Sequence, residues 1–214
     1  PYRRQRQMCI RDRRYVNDVV GMIEWIGNDD VLPDTVLRSN FHASRLQQLY
    51  TRNSAAYKGV MALILKAGAK DFLKGTDMSH ATYTLEYTDI HHIFPQHYCE
   101  KKGIDRARWN SVINKTPIYA RTNRIIGGYA PSQYLSSLER NHAADPRQLN
   151  ESLASHQIDV DAIRADDFDT CFIKRQRSLL DLIEKATGKE VSGREEPQAA
   201  MSQYDIVEME TNED

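Results

Sequence analysis

Most hydrophobic residues of this chain recur every third or fourth position, but between Thr82 and Phe94 the period falls to two. Tyr83, Leu85 and Tyr87 alternate there with Thr and Glu, the pattern of a half-buried strand. The run ends in Asp89-Ile90-His91-His92-Ile93-Phe94-Pro95, two adjacent histidines closed off by a proline that cannot serve as a ladder donor. Asparagines follow at Asn110, Asn114 and Asn123. A short second strand fits Thr116 to Tyr119, and a short helix from Arg121 to Ile126 is stopped by Gly127-Gly128.

Around this strand, loop, strand and helix the pattern is helical. Val16, Val19, Val20, Ile23 and Ile26 form one stripe, with Gly27 placed to end it. A second amphipathic stretch runs from Phe41 to Tyr50 through Leu46 and Leu49. A third helix takes Asn53 or Ser54 as N-cap and buries Tyr57, Val60, Met61, Ile64 and Leu65. All three stripes are expected to face the core rather than a binding partner. From Pro95 to about Trp109 an irregular loop is expected. After Pro131 a helix carries Tyr134, Leu135 and Leu138, and Asp145-Pro146 opens another through Leu149 and Leu153. Asp166-Asp167 cap a long helix with Phe168, Phe172, Leu179 and Ile183 inward, ended by Gly188.

The chain has 214 residues, of which 40% are hydrophobic, enough for one sizeable domain or two small ones. No apolar run approaches the roughly 18 residues of a membrane span, and no signal-peptide pattern is visible. Cys9, Cys99 and Cys171 are odd in number and far apart, which argues against a disulfide framework. The reading is a soluble, cytoplasmic protein. Net charge is only −1, but the charge is unevenly placed. Between Glu100 and Arg124 seven basic residues face two acidic ones, whereas residues 195–214 carry seven acidic residues and no basic one. The positive charge therefore surrounds the histidines.

A His-His pair followed by asparagines is suited to phosphodiester hydrolysis, which needs a base to deprotonate water and a Lewis acid at the phosphate. His91-His92, Asn114 and Asn123, in that order, resemble the HNH nuclease motif, and strand, loop, strand, helix is its ββα-metal arrangement. The fold class expected is mainly α with a small ββα-metal (HNH/His-Me finger) insert and helices on both sides of it. The resemblance implies that His91 holds a divalent metal and that His92 activates the water. Asn123 is then the second ligand, and Asn114 fixes the loop and the base, with Asn110 its rival for that place. Asn114 and Asn123 are nine apart, a spacing similar to that of the HNH domain of RNA-guided CRISPR nucleases. Lys115, Arg121 and Arg124 are expected to contact nucleic acid. Asp89 is expected to cap or orient, with a ligand role open to it. His97 and His142 are expected on the surface. One geometric objection stands: neighbours on a regular strand point to opposite faces, so the chain must bend for both histidines to serve one site.

Beyond the motif, six stretches resemble the C-terminal half of GmrSD-type modification-dependent restriction enzymes. These are Arg52 to Gly59, Asp89 to Pro95, Asn114 to Pro117, Ala120 to Gly127, Ala130 to Leu135 and Arg164 to Phe168. The resemblance implies a metal-dependent DNA endonuclease module of a phage-defence system, with DNA, including base-modified DNA, as partner. It also implies an N-terminal ParB-like NTPase domain that these residues do not contain. Relatives often carry Asp or Glu where His91 stands, although toxin nucleases of the colicin type also use a His-His pair. Magnesium is the first expectation for the ion, with Mn, Ni or Zn favoured by the imidazole. The competing readings are a catalytically silent DNA-binding or assembly module of the same shape, and a structural zinc on His91, His92 and a nearby histidine.

The segments expected are 1–13, 14–80, 81–140, 141–189 and 190–214. Residues 8–13 resemble the translation of a transposase adapter used in sequencing libraries, so 1–13 are expected to be non-native or disordered, a basic arm being the alternative. Residues 14–80 are helical, 81–140 hold the nuclease motif, 141–189 are helical again, and 190–214 form an acidic disordered tail.

Overall fold

The computed structural model describes residues 16, 18–28, 30–78 and 88–194. The expected N-terminal arm, the first part of the period-two run and the acidic stretch from Glu195 lie outside these residues. Two compact units are present, Pro1–Phe41 and His42–Asp214.

In the first unit, helix α1 covers residues 18–27, and Asn28 N–H closes it on the carbonyl of Glu24. Helix α2, Asp34–Arg38, follows a short loop. Asp18 ties the two together by accepting from the backbone and hydroxyl of Thr35. The expected burial of the α1 stripe is corrected here. Val19, Val20, Ile23 and Ile26 are 55 to 83% exposed, so the periodicity is helical but its apolar face is not enclosed.

The second unit opens with a tight 3-10 turn, Ala43–Gln48, where a longer amphipathic helix was expected. Helix α3, Ala55–Lys66, starts where Ser54 Oγ accepts from Tyr57 N–H, and it buries Tyr57, Val60, Met61 and Ile64. Strand β1, Thr88–His92, pairs antiparallel with β2, Lys115–Tyr119, in the register Thr88↔Tyr119 to His92↔Lys115. The segment between them is not an irregular loop. It holds helix α4, Gln96–Lys101, helix α5, Arg106–Trp109, and a 3-10 turn, Val112–Asn114. Asp105 caps α5 through Ala107 N–H, and Cys99, Ala107 and Trp109 are buried, so each short helix is stabilised by one apolar face.

Helix α6, Ala120–Ile126, leaves β2 directly and packs on both strands. It stops at Gly127, whose φ of 58° and ψ of −147° suit only a residue without a Cβ. Helices α7 (Pro131–His142), α8 (Pro146–Ser155), α9 (Val160–Arg164) and α10 (Phe168–Thr187) complete the unit. Asp145 and Asp167 cap α8 and α10, and Gly188, at φ 67°, ends α10. Asp166, expected as part of the α10 cap, instead accepts from the backbone and hydroxyl of Ser132 at the start of α7. Helix α10 packs on α3 and on the 3-10 turn before β2, so segments from both sides of the sheet share one core. The architecture is mainly helical with one small two-stranded antiparallel sheet. Among the described residues no helix is long and apolar enough to cross a membrane.

Candidate functional site

Alternation along β1 sends Asp89 and His91 to one face and Ile90 and His92 to the other. The first face looks on α6. His91 Nδ1 lies 3.0 Å from Asn123 Oδ1, and Asn123 Nδ2 donates to Asp89 Oδ2 at 3.2 Å. The carboxylate thus orients the amide, leaving its oxygen toward the imidazole. On the second face His92 Nε2 is 3.4 Å from Asn110 Oδ1, and its ring stands edge-on to Trp109 at 5.7 Å between centroids. The strand runs through His92 and the bend comes at Ile93-Phe94, one residue later than a shared site for both histidines requires.

His91 is 3% exposed, edge-on to Phe72 and Tyr134. Burial pushes its pKa down to about 3, against the opposing effect of the Asn123 hydrogen bond and with smaller contributions from His92 and His156. The ring is therefore a neutral imidazole at neutral pH, and its Nε2 is buried without a hydrogen-bond partner. Burial, reinforced by the charge of Lys115, lowers His92 to about 4, so it too is neutral and able to accept a proton.

Asn114 does what the middle residue of the motif was expected to do for the loop. Its Oδ1 accepts from Phe94 N–H at 2.9 Å, and its Nδ2 donates to the carbonyls of Phe94 at 2.9 Å and Trp109 at 2.8 Å. It touches the backbone beyond β1 rather than the ring of His92; Asn110 is the asparagine on that ring. Lys115 is corrected as a nucleic-acid contact. It is 7% exposed, and its ammonium donates to the carbonyl of Tyr50 at 2.7 Å. Arg121 and Arg124 are exposed one turn apart on α6, and His97 and His142 are on the surface.

Four supporting residues escaped the sequence reading. Asp71, fully buried, accepts from Leu73 N–H, Lys74 N–H, Tyr119 N–H and the hydroxyl of Thr122, which anchors the start of α6 and hence Asn123. Tyr134 donates to the carbonyl of Ile93 at 2.9 Å and holds the bend. His156 accepts from Thr116 Oγ1 at 2.6 Å and donates to Lys70 O at 2.8 Å. Arg175, 1% exposed, donates to the carbonyls of His156, Ile113 and Lys115 and clamps the approach to β2. Burial lowers its pKa to about 10, which still leaves it cationic at neutral pH. Tyr134 was legible as a core position but not as a hydrogen-bond donor, and Arg175 left a trace in sitting in register with Phe168, Phe172, Leu179 and Ile183 on the buried stripe of α10.

Among the described residues no three His, Cys, Asp or Glu side chains are grouped to hold a metal ion. Asn123 changes the donor set. A neutral imidazole nitrogen and an amide oxygen stand 3.0 Å apart, with a carboxylate on the far side of the amide. That is about the separation of adjacent ligands on an octahedral ion bound at about 2.1 Å. His91 Nε2 is enclosed without a partner. Were Nδ1 to hold an ion, the ring proton would reside on Nε2, toward the aromatic walls of Phe72 and Tyr134. The pair fits an open site completed by water. A zinc on three histidines does not fit, because both nitrogens of His156 are committed and His92 faces away.

Over 131 residues the chain is 33% identical to an uncharacterized protein of Methanocaldococcus jannaschii. The match takes in 59% of this chain and 22% of that protein, so the chain spans about a fifth of the length of the relative it matches. No family model and no solved structure matches the chain.

Proposed function

We propose that this chain is a metal-dependent DNA endonuclease module of the HNH type, with His91 and Asn123 as the ligands of a divalent ion. The observation that carries the proposal is the pairing of His91 Nδ1 with Asn123 Oδ1 at 3.0 Å, the amide oriented by Asp89, across the β1–β2–α6 unit. When bound, the ion supplies Lewis acidity at the scissile phosphate and at the developing 3′ oxygen. His92, neutral through burial and the charge of Lys115, is the base that removes the proton of the attacking water. His92 faces Asn110 and Trp109, away from the His91–Asn123 pair, so this role requires the end of β1 to turn at His92-Ile93. Arg121 and Arg124 hold the flanking phosphates. Base-modified DNA as substrate, a phage-defence role and dependence on an NTPase domain belong to the same proposal, through the family resemblance.

The position of His92 on the opposite face favours a second reading, a catalytically silent DNA-binding module that keeps this shape. Plasmid nicking with Mg, Mn, Ni and Zn in turn separates the two. The nuclease reading expects ion-dependent nicking that is lost in His92→Ala and Asn123→Ala. DNA binding without nicking under any ion, unchanged in His92→Ala and persisting when the proposed NTPase domain and nucleotide are supplied, sinks it in favour of the silent module.

A further inference from the structure

Helices α4 and α7 flank the Gly127-Gly128 turn, and two adjoining cavities of about 880 and 740 Å³ open there. Tyr129 and Gln133 line both, so the two cavities adjoin at these side chains and are together called the cleft. Tyr129 is 65% exposed, unusual for the largest apolar surface in a cleft wall. Gly127 leaves room beside the ring, where an added Cβ would stand 3.6 Å from it. Lys101 and Lys102 line the larger cavity and Arg140 the smaller, all exposed. The one carboxylate among the described lining residues, Asp166, is already committed to Ser132 as the cap of α7.

An open aromatic ring, a free-standing amide and cations in both cavities match the needs of a nucleic-acid strand with one base unstacked. The ring supplies a stacking platform, the amide pairs with a base edge, and the cations take phosphates on either side. A peptide partner would ask for a more apolar lining, and a small anion for cations that converge on one point. We propose that this cleft binds one unstacked base of a DNA strand, stacked on Tyr129 and read by Gln133, with Lys101, Lys102 and Arg140 on the neighbouring phosphates. The proposal rests on the DNA reading above and assigns it a substrate subsite. The cleft and the candidate metal site share a wall. Tyr134 lines the smaller cavity, its ring is 5.8 Å from that of His91, and its hydroxyl holds Ile93.

The test is fluorescence anisotropy of the full chain with a labelled single-stranded oligonucleotide and with its duplex, in EDTA so that nothing is cut. The single strand is expected to bind more tightly than the duplex. Tyr129→Ala is expected to weaken single-strand binding about tenfold, and Tyr129→Phe to preserve it, because the ring does the stacking. Lys101→Ala with Lys102→Ala is expected to reduce the salt slope by about 1.4, two phosphates at about 0.7 each. Equal binding by Tyr129→Ala and the parent, or no single-strand binding by the parent, overturns the cleft. Its failure is separable from that of the nuclease. Ion-dependent nicking with an indifferent Tyr129→Ala removes the cleft alone, whereas Tyr129-dependent binding without nicking, even with the proposed NTPase domain and nucleotide supplied, removes the catalytic reading alone.

Discussion

Asp71, Asn114 and His156 invite comparison with His91, since all four are at most 3% exposed. The first three give every side-chain polar atom a protein partner, mostly backbone, and they tie together the start of α6, the bend after β1 and the middle of β2. His91 shares one nitrogen with Asn123 and leaves the other enclosed without a partner. Arg175 lies between these cases, with its Nε and Nη1 engaged and its Nη2 unpaired. A buried polar atom left open costs about 1–3 kcal/mol. A fully satisfied residue reads as architecture. His91 departs from that pattern, and the proposed function offers a reason for the departure.

Substitutions on the two sides sharpen that distinction. Asp71→Ala strands four donors at once and is expected to cost about 4–5 kcal/mol in urea denaturation. A loss under about 1 kcal/mol would remove Asp71 from the architecture. Acid should reach the same region through His156, which burial holds at a pKa of about 3 while the unfolded chain titrates near 6.5. The unfolded state then binds the extra proton, so stability is complete above about pH 6.5 and declines as the pH falls toward 3, by about 4 kcal/mol. His156→Gln, which keeps a donor and an acceptor but does not titrate, should make that slope shallower in melts across the range, leaving the shares of His91 and His92.

Asn114→Ala is expected to cost about 2–3 kcal/mol, having lost three bonds to Phe94 and Trp109. His91→Phe is the opposite case and the smallest effect. An apolar ring of similar size removes the orphaned nitrogen, so unfolding is expected to change by less than about 1 kcal/mol, and under the proposed nuclease reading ion-dependent nicking is expected to disappear. If instead His91→Phe unfolds the protein as Asp71→Ala does, the contrast between the two sets collapses.

Much of the scaffold was legible from local chemistry. Ser54, Asp145 and Asp167 cap, Gly127 and Gly188 stop, and β2 begins one residue before its expected start, because such signals act within a turn of their own position. The meeting of His91 with Asn123 was legible only through the motif, since no periodicity links residues 32 apart. Asp71 was silent for the same reason: its partners Tyr119 and Thr122 lie 48 and 51 positions away. Lys115 misled because a lysine among basic residues reads as solvated, whereas the all-buried β2 leaves its stem enclosed and its ammonium on the Tyr50 carbonyl. Helices α4 and α5 are too short for their period to stand out from a loop. The stripe on α1 shows the converse: periodicity reports a helix, and enclosure of its apolar face is a separate fact.

The amide of Asn114 has one more implication. Ile93 N–H bonds to the carbonyl of Asn114, the rung after His92↔Lys115, and then the Asn114 carboxamide takes both the N–H and the C=O of Phe94. A carboxamide carries the same donor and acceptor as a peptide group, so the side chain acts as a borrowed piece of main chain and lengthens the ladder past the end of its own strand. That splice is vulnerable to ageing in a way that no true backbone rung is. Spontaneous hydrolysis of the Asn114 amide to a carboxylate would remove the donor and set a negative charge against two carbonyls, cutting the sheet back without breaking the chain.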